Sequence, residues 1–209
     1  MAFNGLTNLS NKLIELVNTL FPTVRELRQL LVKGADINYQ LEKNGYTALM
    51  VASHKQYDRI VEYLLKQGAN PLLKNKDGFI ASELVLPDSS TYPILKDYEL
   101  LFAIINNELT TVKLILEAGA LINFQNLNGY TALMIAAEKN FVEIVEFLLW
   151  QGADLSLTCA NGRSVFELTA DQTILDLLNE VNDLSQYGSN DALYSPPIYI
   201  KKTQGFFAK

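Results

Sequence analysis

The chain is poor in the residues from which most enzyme sites are built. Its 209 residues include one histidine, His54, and one cysteine, Cys159. A single histidine excludes metal sites made of several histidines, and it leaves one candidate base for a serine or cysteine nucleophile. No phosphate-binding glycine pattern and no paired ligand spacing for a metal occurs. We therefore predict a protein that is not an enzyme, with no catalytic residue, no metal site and no cofactor.

Long apolar runs and a surplus of basic residues are also missing. The longest apolar runs, such as residues 100–105, are far too short to cross a bilayer. Residues 1–5 lack the basic start and apolar stretch of a secretory signal, and one cysteine cannot form an internal disulfide. These features favour a soluble protein of the cytoplasm. A net charge of −6 disfavours nucleic acid as the partner.

The acidic surplus is unevenly distributed. Residues 98–191 hold thirteen acidic and three basic residues, whereas residues 192–209 hold three lysines and no acid. Residues 185–209 also contain five aromatic residues and the Pro196-Pro197 step, which excludes a helix there. Two interpretations stay open for this tail. It is a disordered end, or it docks on the acidic half of the same monomer or on a partner.

Two stretches of the chain are near copies of each other. Residues 44–52 and 128–136 both begin with Asn-Gly-Tyr-Thr-Ala-Leu-Met, and each is followed by a second apolar helical pattern that ends in Gly-Ala. The distance from Gly45 to Gly78 is 33 residues, and so is the distance from Gly129 to Gly162. A fixed period of this length is the signature of a stacked repeat architecture.

These motifs resemble the ankyrin repeat, and the resemblance covers residues 6–184. It implies an all-α fold, an ankyrin repeat solenoid of stacked helix–turn–helix units with finger loops, followed by a non-repeat tail. The predicted units are a cap unit 6–38, unit 39–71, a truncated unit 72–97, unit 98–123, unit 124–157 and a cap unit 158–184, with the tail at 185–209.

Two irregularities interrupt the period. Gly34 and Gly45 are eleven residues apart where the other units have ten, so an extra residue near Leu41 should distort the first finger. Gly68 and Gly119 are 51 residues apart, which is 15 short of two repeats. The pattern predicts a first helix over 79–86, a turn-rich loop over 87–93 and a new first helix over 98–106. The second helix of the truncated unit should be absent or reduced to about one turn.

Helix boundaries are marked by proline and threonine. We expect Pro22 in the first turn of the second helix, where its missing N–H group is not needed. Thr47 and Thr131 precede the apolar patterns of two first helices. Both are predicted N-caps.

The resemblance implies a concave face, formed by fingers and first helices, that binds another protein. The residue after each finger glycine recurs in register, so these residues should form a ladder of types enriched at binding hot spots. The alternative is that the aromatic residues only pack across adjacent fingers. The predicted partner-binding residues are Tyr39, Tyr46, Phe79, Phe124, Tyr130 and Arg163.

The sequence thus predicts a protein-binding module that acts without catalysis on a partner it does not identify. One hypothesis makes it an effector that an intracellular pathogen secretes into a host cytoplasm, on the basis of its Asn- and Lys-rich composition, irregular repeats and tail. The alternatives are a regulatory or inhibitory subunit of an enzyme and a self-associating scaffold.

Overall fold

The computed structural model describes residues 2–187, and in that range it confirms the predicted all-α repeat architecture. The only β-structure there is a single bridge between Thr158 and Ser164. Two short 3-10 helices occur at Ala81–Leu84 and Val165–Glu167. The helices are α1 Ala2–Val17, α2 Val24–Val32, α3 Ala48–His54, α4 Asp58–Lys66, α5 Thr91–Ile105, α6 Leu109–Glu117, α7 Ala132–Glu138, α8 Val142–Trp150 and α9 Gln172–Tyr187.

The chain divides into two compact units, residues 1–121 and residues 122–209. The first unit contains α1 to α6, and the second contains α7 to α9. A single continuous stack over residues 1–184 stays a prediction, as do the six repeat boundaries. The tail residues from 188 onward lie outside the described residues.

Threonine caps start the first helices as predicted. The Thr47 hydroxyl accepts a hydrogen bond from the Met50 N–H at 3.1 Å, and the Thr131 hydroxyl accepts one from the Met134 N–H at 3.2 Å. The expectation for Pro22 is wrong by two positions. Pro22 lies one residue before the N-cap of α2, which is Thr23. Thr23 has an extended backbone, and its hydroxyl accepts a hydrogen bond from the Glu26 N–H, as an N-cap residue does.

Each unit has its own apolar core, built from the helical stripes that the sequence shows. In the first unit Leu49, Leu64 and Leu100 are at most 1% exposed. In the second unit Leu133 and Leu148 are equally buried. Burial of one such side chain stabilises the folded state by about 1.5–3 kcal/mol, so these stripes hold neighbouring repeats together.

The truncated unit differs from the prediction. Its first helix is only the 3-10 helix Ala81–Leu84, and the loop ends at Ser90, so residues 91–93 are helical. Helix α5 begins 33 residues after Asp58, the start of α4, and ends 33 residues before Glu138, the end of α7. A second helix of one repeat is therefore joined to the first helix of the next, and the predicted boundary at 97/98 lies inside this helix. What is missing is the finger between them.

The first finger accommodates its extra residue as expected. Its turn is closed by a bond from the Gly45 N–H to the Leu41 carbonyl at 2.7 Å, four residues apart. The corresponding bond in the next finger, from the Gly78 N–H to the Asn75 carbonyl, spans three residues. The finger is wider by one residue, and the pairing of Leu41 N–H with the Tyr46 carbonyl is kept.

Candidate protein-interaction surface

Asparagine side chains shape two of the finger turns. The Asn75 carbonyl oxygen Oδ1 accepts bonds from the N–H groups of Asp77 and Phe79 at 3.0 and 2.9 Å. In the second unit, Asn126 does the same for Asn128 and Tyr130, both at 3.0 Å. An asparagine that satisfies two turn N–H groups fixes the backbone of the finger. The residue that follows the finger glycine is thereby held in one position.

Successive fingers within a unit are in direct backbone contact. The Lys76 N–H donates to the Asn44 carbonyl at 3.0 Å, and the Ala160 N–H donates to the Asn128 carbonyl at 2.9 Å. A Cβ on Gly45 would lie 2.8 Å from the Lys76 nitrogen. A Cβ on Gly129 would lie 2.6 Å from the Ala160 nitrogen. Both glycines also have positive φ, so no other residue fits these positions without strain.

Glutamine side chains tie the same fingers together. The amide of Gln40 donates to the carbonyls of Gly45 and Lys74 at 2.9 and 2.7 Å. The amide of Gln125 donates to the carbonyls of Gly129 and Thr158 at 2.7 and 3.0 Å. Sequence reasoning missed this role, although both glutamines stand four or five residues before a finger glycine.

In the second unit, the two predicted residues that follow finger glycines touch each other. The Arg163 guanidinium donates a bond to the Tyr130 hydroxyl at 3.1 Å, and that hydroxyl donates to the Glu138 carboxylate at 3.2 Å. Partial burial and the neighbouring Glu138 charge raise the pKa of Tyr130, so its hydroxyl stays protonated and available as a donor at neutral pH. Tyr130 is partly buried and Arg163 is exposed. The two side chains therefore form one polar and aromatic patch on the surface.

The other predicted binding residues are placed separately. In the first unit Phe79 is 49% exposed, whereas Tyr39 and Tyr46 are partly buried. Within the described first unit, no ring contact joins Tyr46 to Phe79. Phe124, in the second unit, is partly buried. The structure thus brings Tyr130 and Arg163 together, and Phe79 is the most accessible of the aromatic residues predicted to bind a partner.

Cys159 takes the place of asparagine in the last finger turn. Its N–H donates to the Arg163 carbonyl at 2.9 Å, as the N–H of Asn126 does to the Tyr130 carbonyl one repeat earlier. Burial by itself raises the pKa of the Cys159 thiol, but the N–H groups of Asn161 and Arg163, together with the Arg163 guanidinium, lower it by more, so the net pKa is lowered. The side chain is 4% exposed, and the one histidine of the chain, exposed His54, lies in the first unit. The structural role of a turn acceptor explains Cys159.

Residues 2–187 contain no cluster of three or more side chains that could bind a metal ion. Among the same residues, no helix is long and apolar enough to cross a membrane.

A buried charged cluster on α5 escaped sequence reasoning. Glu99 is fully buried and forms an ion pair with Lys96 at 2.7 Å. Asp97, 6% exposed, accepts a hydrogen bond from the Leu121 N–H at 2.7 Å. Burial raises the pKa of both acids. The repeat register predicts an apolar residue at the position of Glu99, since the first helices of two other repeats carry Ala48 and Ala132 there.

Comparison with protein families agrees with this geometry. A model of the single ankyrin repeat matches residues 44–76, and a model of three successive ankyrin repeats matches residues 91–182. The chain belongs to the ankyrin repeat family. Ankyrin repeats are protein–protein interaction modules that do not themselves catalyse reactions, and the finger turns and first helices described above are the repeat's own elements.

The ankyrin repeats of this chain are similar to parts of larger proteins. Palmitoyltransferase AKR1 of Lachancea kluyveri is 26% identical over 196 residues, which is 85% of this chain and 26% of that protein. A putative ankyrin repeat protein of Rickettsia bellii is 27% identical over 158 residues, 73% of this chain and 41% of that protein. Ankyrin repeat and SAM domain-containing protein 6 of Rattus norvegicus is 45% identical over 74 residues, 33% of this chain and 8% of that protein. The chain spans less than half the length of each relative.

Proposed function

We propose that this chain binds a partner protein through finger side chains and performs no catalysis itself. The observation that carries the proposal is the contact between Arg163 and Tyr130 at 3.1 Å, displayed on two successive finger tips. Tyrosine and arginine are the residue types most enriched at binding hot spots. Their finger backbones are fixed by Gln125 and by the Ala160 N–H, so the patch is preorganised and loses little entropy on binding.

The first unit contributes a second, more apolar element in the exposed side chain of Phe79, while Tyr39 and Tyr46 of the same unit are partly buried. Phe79 leaves about half of its side chain exposed at the tip of a finger whose turn is held by Asn75. A ring in this position can enter an apolar pocket of a partner without rearrangement of the finger. The proposed binding surface therefore consists of the Tyr130–Arg163 pair and, separately, the Phe79 side chain, while Tyr39, Tyr46 and Phe124 are partly buried.

The test is affinity capture from a cell lysate with four baits of equal concentration. They are the wild type, Tyr46→Ala/Phe79→Ala, Tyr130→Ala/Arg163→Ala, and a control, Val32→Ala/Leu114→Ala, that removes exposed apolar side chains from second helices. We expect a partner that the wild type and the control retain and that at least one finger variant loses by about tenfold or more, since a hot-spot residue contributes about 2 kcal/mol or more. Equal capture by all four folded baits would contradict the proposal.

A regulatory role beside an enzyme is the second candidate. The observation that favours it is the similarity over 85% of this chain to about a quarter of a palmitoyltransferase. The similarity to a Rickettsia bellii protein supports the effector hypothesis in the same limited way, because it extends over 73% of this chain. Mass spectrometry of the captured partner separates these two roles. A regulatory role requires that the partner is an enzyme or the substrate of an enzyme, and an effector role requires that it is a protein of a host cell.

A further inference from the structure

Helix α8 has one buried face and one face that carries both acidic and aromatic side chains. Ile144, Val145, Leu148 and Leu149 are buried in the second unit. The opposite face, which we call the Trp150 face, consists of Glu143, Glu146, Phe147 and Trp150. These residues are three or four positions apart, so they are neighbours on one side of the helix.

Trp150 is the only tryptophan of the chain, and 51% of it is exposed at the end of α8. Its ring centroid is 6.3 Å from that of Phe147, and the two rings are tilted by 32°. Both carboxylates of the face are on the same helix, one and two turns before Trp150. An aromatic pair made of exposed Trp150 and partly buried Phe147, beside two negative charges, is complementary to a segment that carries apolar and basic side chains together.

One segment of this chain has that composition. Residues 122–187 hold nine acidic residues and two basic ones, whereas residues 192–209 hold three lysines and no acid. The pair Lys201-Lys202 is followed, after three intervening residues, by the pair Phe206-Phe207. We propose that residues 201–207 dock on the Trp150 face of the same molecule, with the lysines beside Glu143 and Glu146 and the phenyl rings against Trp150.

The distances permit this arrangement. Glu143 and Trp150 are seven residues apart on α8, which corresponds to about 10 Å along the helix axis. Four residues from Lys202 to Phe206 reach up to about 14 Å, so both ends of the motif fit on the face at once. Helix α9 packs against α8 and ends at Tyr187. The fourteen residues from there to Lys201 reach up to about 50 Å.

A second copy of the chain fits this face less well. Pairing two Trp150 faces would gather four carboxylates, Glu143 and Glu146 of each copy, on one small interface, and α8 carries no basic residue to balance them. A segment tethered in the same chain acts at an effective concentration in the millimolar range, so a modest contact suffices to cover the face. The proposal does not depend on the finger patches, which lie on other elements.

Fluorescence of the full chain tests the proposal, because Trp150 reports the state of the face alone. The variants are Lys201→Glu/Lys202→Glu and Phe206→Ser/Phe207→Ser, and the control is Lys12→Glu/Lys43→Glu, which changes the net charge equally at exposed lysines of the first unit. None of these substitutions removes a core side chain of residues 2–187. Circular dichroism of each variant checks that the helices are kept.

We expect acrylamide quenching of Trp150 to rise about twofold in both tail variants and to stay unchanged in the control, because uncovering an aromatic ring exposes a large area. Raising the salt to about 1 M shortens the Debye length to about 3 Å and should increase quenching in the wild type. Combining Lys201→Glu/Lys202→Glu with Glu143→Lys/Glu146→Lys should restore the protection.

Three results would overturn the proposal. Equal quenching in the wild type and both tail variants would show that the segment does not cover Trp150. Protection that disappears on dilution of the protein would assign the cover to a second copy. Failure of the exchanged charges to restore protection would mean that Glu143 and Glu146 do not receive the lysines.

Discussion

Removing the Lys96 amine should destabilise the protein far more than removing an exposed lysine. Glu99 is fully buried, its Oε1 atom has no hydrogen-bond partner, and Lys96 is the cation 2.7 Å from its Oε2 atom. In Lys96→Met the carboxylate would stay buried without this cation. Breaking a buried pair in this way costs about 3–5 kcal/mol, which corresponds to a fall in melting temperature of roughly 6–20 °C for a protein of this size.

The chain provides a matched control in Lys66→Met. Lys66 forms an ion pair with Glu62 at 2.6 Å, but the two side chains are 38% and 48% exposed, against 11% and 0% for Lys96 and Glu99. Water already solvates the exposed pair, so its loss should change the free energy of unfolding by about 0.3–0.5 kcal/mol. The double variant Lys96→Met/Glu99→Met should be at least as stable as the wild type, because an apolar pair of similar volume removes both buried charges.

The destabilisation should also depend on pH with a defined sign. Burial raises the pKa of Glu99 above its ordinary value of 4.5, so the folded state binds this proton more tightly than the unfolded chain does. The contribution of Glu99 to stability is therefore greatest below pH 4.5 and declines as the pH rises toward the folded pKa. Lys96→Met raises that pKa further, so the difference between variant and wild type should shrink in acid.

Urea unfolding of the four proteins at neutral pH and near pH 4, monitored by circular dichroism, measures these effects. A loss below about 1 kcal/mol for Lys96→Met, or a loss equal at both pH values, would refute the assignment of Glu99 as a buried charge that depends on Lys96.

Three further changes test the packing. Gly129→Ala should destabilise the protein by about 1–3 kcal/mol in urea unfolding, because its Cβ would lie 2.6 Å from the Ala160 nitrogen. The control Gly152→Ala also has positive φ but nothing within 4 Å, so it should lose about 1 kcal/mol, and equal losses in the two variants would contradict the close approach at Gly129. Leu148→Ala should lose about 2–5 kcal/mol through a cavity, and Leu114→Ala, 61% exposed, should lose under about 0.5 kcal/mol; a neutral Leu148→Ala would show that α8 is misplaced. Cys159→Asn should keep the circular dichroism spectrum and the melting temperature of the wild type, since Asn75 and Asn126 form the same turn, and a melting temperature several degrees lower would exclude the shared role.

Much of the fold was predictable because each repeat carries sequence signals at its helix boundaries. The sequence predicted the N-caps at Thr47 and Thr131, the 33-residue period and the extra residue of the first finger. The structure confirms all three. The family resemblance supplied what composition alone does not, namely the helix–turn–helix form of each repeat.

The truncated unit shows where sequence reasoning stopped. Residues 87–93 look like a loop because they contain two prolines, yet Pro93 lies in the first turn of α5, where proline is tolerated. The burial of Lys96, Asp97 and Glu99 was not predicted from the sequence. All three are buried in the structure, and no local sequence pattern reports which elements pack around them.

The sequence predicted which residue types occupy the candidate site, but not which of those side chains touch each other. Register placed Tyr130 and Arg163 at equivalent positions, and their hydrogen bond depends on side-chain directions that register does not give. The predicted binding role of all six finger residues stays a prediction until a partner is identified.

The joined helix α5 also bears on how the chain unfolds. In most repeat arrays a single repeat can open while its neighbours stay folded, since only nearest-neighbour interfaces connect them. Residues 91–105 belong to two repeats at once, so the first cannot open without breaking the backbone hydrogen bonds of the second. Amides from Ala81 to Glu117 should therefore exchange with solvent as one cooperative block, larger than a single repeat, and the deletion that removed a finger enlarged the smallest unit that can unfold.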